Sequence, residues 1–100
     1  MKDKLTYKLE NIILENEYTE VKIKSKIDDR EVHMKNAIIK FRYKPKEDKG
    51  YLNFGECNGS KLCEIEDNNI NEVILNKDCL IIETNEKTYV LNKDRDKLYF

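Results

Sequence analysis

Apolar and polar residues alternate with a period of two over much of this chain, the pattern of strands with one face on a core and the other in solvent. The clearest case runs from Tyr18 to Lys44. Val21, Ile23 and Ile27 share one side, while Glu20, Lys22, Lys24 and Lys26 share the other. Asp28-Asp29-Arg30 reads as the turn that reverses the chain. In the returning segment Val32 and Met34 are apolar at even positions, but Ala37, Ile39, Phe41 and Tyr43 are apolar at odd ones. A one-residue slip turns a strand inside out, so keeping the apolar side inward across Lys35-Asn36 needs an extra residue there. The pattern predicts a long central hairpin over 18–44 with a β-bulge or sharp bend at Lys35-Asn36. A strand that long, bent in its middle, typically serves two sheets or two sides of a barrel.

Beyond it, Pro45 to Gly50 holds the only proline and four consecutive charges, and reads as an exposed, mobile loop. Asn58-Gly59 favours a two-residue hairpin turn, which sets Gly55 opposite Leu62 and Phe54 opposite Cys63 and pairs Glu56 with Lys61. Glu66 to Asn69 reads as another turn. A meander follows, with short strands over 73–75, 79–84, 88–91 and 98–100. Cys79, Leu80, Ile81 and Ile82 leave little polar side, so the second of these is expected to be a central strand covered on both faces. Residues 4–14 fit two templates. Leu5, Tyr7, Leu9 and Ile13 alternate as a strand would, whereas Leu5, Leu9, Ile12 and Ile13 follow helical spacing with Asp3 as a cap. The strand is preferred because it would pair simply with its neighbour through Glu15-Asn16-Glu17. The sum is an all-β chain of seven or eight strands, an antiparallel sandwich or small barrel, forming a single domain over residues 1–100.

Composition narrows this further. Apolar and charged residues each make up 39% of the chain, which describes a modest core under a heavily charged surface, and the blocks of alternation argue against disorder. The longest apolar run is Cys79 to Ile82, so neither a secretory segment nor a membrane span is expected, and three cysteines fit reduced thiols in the cytoplasm. The richness in Lys, Asn, Ile and Glu points to an AT-rich genome of a bacterium or mobile element. Net charge is only −1, but residues 20–50 carry ten Lys and Arg against six Asp and Glu, whereas residues 51–86 carry two against eight.

Catalytic chemistry finds little to work with. His33 is the only histidine, which excludes a multi-histidine metal site, and it falls on a polar strand face. No C-x-x-C pair, phosphate-cradling glycine loop or dinucleotide fingerprint is present. The expectation is a non-enzymatic domain without metal or cofactor. It is expected to bind a macromolecule, first a protein, in the manner of an inhibitor or immunity-type protein. Two surfaces are candidates: the basic outer face of the central hairpin, Lys22, Lys24, Lys26, Lys40 and Arg42, and the acidic turns with Glu64, Glu66, Asp67 and Glu72. The basic face, with Tyr18 on the side of the lysines, supports nucleic-acid binding as the alternative. An open edge strand offers a further route to a homodimer.

Overall fold

The computed structural model describes residues 4–56 and 62–93. Helix α1, Lys4–Asn16, leads into eight strands: β1 Tyr18–Ser25, β2 Glu31–Met34, β3 Ala37–Lys44, β4 Lys49–Glu56, β5 Leu62–Glu66, β6 Ile70–Leu75, β7 Cys79–Thr84 and β8 Lys87–Lys93. They form a five-stranded sheet in the order β2-β1-β8-β7-β6 and a three-stranded sheet in the order β3-β4-β5, and every pairing is antiparallel. The mostly-β architecture in two packed sheets is the expected fold class.

The chain changes sheets at two corners. The bend at Lys35-Asn36 separates β2 from β3, where the sequence places its shift of register. It lets Met34 and then Ala37, Ile39 and Phe41 all face inward although their parity differs. The expected single hairpin is therefore two half-strands in different sheets: β2 pairs with β1, and β3 pairs with β4. The second corner is a short 3-10 turn at Asp67–Asn69 between β5 and β6.

One core lies between the sheets. Val21, Ile23, Leu80, Ile82, Tyr89 and Leu91 come from the larger sheet and Leu52, Phe54 and Ile65 from the smaller. Leu9 and Ile13, one helical turn apart, add the buried stripe of α1, with Ile12 beside them. This corrects the preferred strand over residues 4–14. Both templates share Leu5, Leu9 and Ile13, and the helix prevails because it buries Leu9 and Ile13 together while Leu14 and Glu15 stay exposed. Glu17 ends it in the left-handed region at φ 52°, its amide bonding the Ile13 carbonyl at 3.2 Å.

Two smaller expectations also change. β1 stops at Ser25 because the Ser25 hydroxyl accepts the amides of Ile27 and Asp28, which leaves Ile27 75% exposed rather than inward. The connection after β3 is exposed as expected but shorter, residues 45–48, because Lys49 and Gly50 already belong to β4; Tyr43 is bonded to Asp48 and the Tyr51 hydroxyl to Glu47 at 3.2 Å. The β4–β5 register is the expected one, Gly55 opposite Leu62 and Phe54 opposite Cys63. The Asn58-Gly59 turn, Cys57, the Glu56–Lys61 pair and the strand over 98–100 lie outside the described residues.

Candidate functional site

On the outer face of the five-stranded sheet, the ladder registers align His33, Lys22, Val90, Ile81 and Ile74 in one rung across all five strands. The next rung is Glu31, Lys24, Thr88, Glu83 and Glu72. Buried Leu80, Ile82 and Thr84 alternate with Cys79, Ile81 and Glu83, so Ile81 is turned away from the core and only half-buried, as are Val90 and Ile74. An aliphatic row thus occupies three strands of the outer face, beside two exposed lysines that have no ion-pair partner among the described residues.

Charges around the row are partly matched. His33 Nε2 lies 2.8 Å from a Glu20 carboxylate oxygen. Lys26 Nζ sits 3.1 Å from Glu83 and donates to the Thr84 carbonyl at 2.7 Å, pinning the end of β1 against the β7–β8 turn. Glu83 also accepts from the Thr88 hydroxyl at 2.6 Å, and these two hydrogen bonds hold its carboxyl below the ordinary carboxylate value. Glu83→Gln is expected to cost about 1 kcal/mol at neutral pH, limited by the partial exposure of Lys26. A depressed carboxyl stabilises the fold fully above its ordinary pKa of 4.5 and loses that contribution as pH falls through the lower folded value. The difference in Tm between wild type and Glu83→Gln should therefore be constant from neutrality to about pH 5 and shrink below it; a difference that grows on acidification contradicts this role.

The structure divides the sequence's candidate surfaces differently. Lys22 and Lys24 stand on the larger sheet, but Lys40 and Arg42 stand on β3 in the smaller one, so the expected basic face is split. Lys26 is committed to Glu83 and Thr84. Tyr18 is buried rather than beside the lysines, because a register shift between Tyr18 and Glu20 rotates it inward, and burial pushes its phenol up. No sequence signal marked that bulge. Of the acidic set, Glu72 is exposed on edge strand β6, Glu64 is exposed on β5, and Glu66 binds Lys49 at 2.8 Å. Asp67 is buried and accepts the Gly50 amide at 3.0 Å, which makes it a structural carboxylate and not a surface one.

Cys79 is half-buried on the outer face rather than in the core, its strand covered fully on one side only. Three strand spacings, about 14 Å, separate its strand from that of His33. Cys63 packs against Tyr89, whose buried hydroxyl has its ionisation pushed far up. Among the described residues no group of three or more His, Cys, Asp or Glu is placed to hold a metal ion, and no helix is long and apolar enough to cross a membrane. Comparison of the chain with protein-family models, curated proteins and solved structures finds no match.

Proposed function

We propose that this chain is a non-enzymatic, cytoplasmic protein-binding domain that docks a partner on the outer face of its five-stranded sheet. It would act by occupying the partner, as inhibitors and immunity-type proteins of bacteria and mobile elements do. The observation that carries the reading is the rung Ile74, Ile81, Val90 beside Lys22 and Lys24. Protein interfaces combine an apolar centre with a charged rim, and this face supplies both. The partner that fits is a protein surface with an apolar side chain flanked by carboxylates, since Lys22 and Lys24 stand beside the row with no ion-pair partner among the described residues.

Nucleic-acid binding is the second reading, through Lys22, Lys24, Lys40 and Arg42. A phosphate backbone favours an unbroken basic track. Here Glu20, Glu31 and Glu83 interleave with the lysines, and the remaining cations belong to the other sheet. These features favour the protein.

The test is recovery of stoichiometric protein from extract of the native host, with and without nuclease treatment, using tagged wild type, Ile81→Lys and Lys22→Glu/Lys24→Glu. A single protein retained by wild type and lost with both variants, each still folded by Tm, is the expected result. Retention by both variants, or capture of nucleic acid alone with steep salt dependence, overturns it.

A further inference from the structure

The outer face of the three-stranded sheet is organised in columns of opposite charge. β3 presents Ile38, Lys40 and Arg42, all exposed. β4 presents Gly55, Asn53 and Tyr51 opposite them, and β5 presents Glu64 and Glu66 opposite Asn53 and Tyr51. Two rungs therefore run from cation to carboxylate: Lys40, Asn53, Glu64 and Arg42, Tyr51, Glu66. A third holds Ile38, 45% exposed, opposite Gly55. Because Gly55 has no side chain, the sheet surface falls away there into a depression of about 460 Å³, bordered by Ile38, Lys40, Asn53 and Glu64. Knob and hole sit side by side on one rung.

We propose that the chain self-associates through this face as a symmetric dimer, its two-fold axis parallel to the strands and passing over β4. That rotation exchanges the β3 and β5 columns while leaving each rung at its own height. Lys40 then meets Glu64 of the second copy, and Arg42 meets Glu66 of the second copy, each twice. The same operation sets Gly55 of the two copies against each other on the axis and carries the exposed Ile38 of each copy to the β5 side of the other's depression, which Cys63 and Glu64 line. A two-fold axis running across the strands instead would set basic column on basic column and acidic on acidic, and like charges would oppose it. The face is complementary to itself in one orientation, which is what a closed two-fold interface requires.

The energetic weight falls on the middle rung. Glu66 already holds Lys49, so Arg42 would add a second cation to an engaged carboxylate. Lys40 and Glu64 have no ion-pair partner among the described residues, and pairing them across the interface matches both. Two strands of eight residues and one of five cover roughly 350 Å² on each copy, or roughly 700 Å² for both together, below the size of a standard specific interface and in the range of weak, transient contacts. The dimer is therefore weak and reversible. It leaves the five-stranded faces pointing outward in both copies, so it neither requires nor blocks the docking proposed above.

Sedimentation velocity over an about hundredfold concentration range tests this, with Tm confirming that each variant is folded. Wild type should pass from monomer to dimer. Lys40→Glu and Glu64→Lys should each weaken association by about tenfold or more, because each sets two like-charge pairs across the axis. An equimolar mixture of the two variants should recover it. In that heterodimer one copy carries carboxylates at both positions and the other carries ammonium groups at both, so each pair across the axis is again of opposite charge. Ile38→Asp, which puts a carboxylate on the side of the second copy's Glu64, should also weaken association. A wild type that stays monomeric throughout, a dimer untouched by these substitutions, as one built on an edge strand would be, or a mixture that stays monomeric overturns the proposal.

Discussion

Phe54→Ala is expected to destabilise the protein by about 3–5 kcal/mol, the cost of removing a buried aromatic ring together with the cavity it leaves. Phe54 is 1% exposed on the inner face of β4, flanked by Ile39 of β3 and Cys63 of β5. Its ring stacks on Tyr89 of the other sheet with centroids 5.7 Å apart. A domain of this size has a total stability of only about 5–15 kcal/mol, so the variant should be near the edge of unfolding. Urea denaturation would show a large fall in midpoint, and Phe54→Leu should recover most of it because it preserves much of the apolar volume. A loss under about 1 kcal/mol would mean that the sheets do not share this core.

Asp67→Ala should follow, at about 1–3 kcal/mol. The last pair of the β4–β5 ladder is Tyr51 opposite Glu66, so the next position on β4, Gly50, lies beyond the end of its neighbour. The Asp67 carboxylate supplies an acceptor there at 3.0 Å, and both residues are buried. Alanine leaves the Gly50 amide without that acceptor at the corner where the chain passes between sheets. Asp67→Asn retains an acceptor oxygen and should cost less than half as much. Hydrogen exchange at Gly50 reads the effect locally: protection should drop sharply in the alanine variant and little in the asparagine one. Equal losses in both would assign the stability to the charge instead of the hydrogen bond.

These two residues also show where the sequence is readable. The inward position of Phe54 follows from alternation, and its partner Cys63 from the turn chemistry of Asn58-Gly59, because both are local. Asp67 reads in the sequence as a solvated turn acid. Its burial depends on β5 ending one residue earlier and on β4 continuing past it, a relation between strands that no single segment encodes. Lys35-Asn36 is the instructive middle case. Broken alternation demands an extra residue there, but a bulge within one hairpin and a passage between two sheets leave the same trace in the chain. Only the pairing of β3 with β4 separates them, and that pairing moves Lys40 and Arg42 to a different face from Lys22 and Lys24.

The candidate faces are legible to a similar degree. That Lys22 and Lys24 point outward is plain from their period. That Ile74, Ile81 and Val90 line up beside them is not, because each comes from a different strand and the strand order sets the row. The all-apolar run of β7 suggests two covered faces, whereas one of them stays half open. Likewise the acidic and basic halves of the chain suggest two separate surfaces. The three-stranded sheet instead interleaves them, setting Lys40 and Glu64 on the same rung.

The two proposals give the outer faces separate roles, one for a partner and one for a second copy of the chain. Isoleucine methyl resonances can tell these roles apart, since Ile38 reports on the smaller sheet, Ile74 and Ile81 on the larger, and buried Ile82 on the core. On dilution the Ile38 methyl should shift while the other three hold still. On addition of the recovered partner, Ile74 and Ile81 should shift while Ile38 does not. Movement of Ile74 and Ile81 on dilution, or of Ile38 with partner at constant protein concentration, would contradict the division.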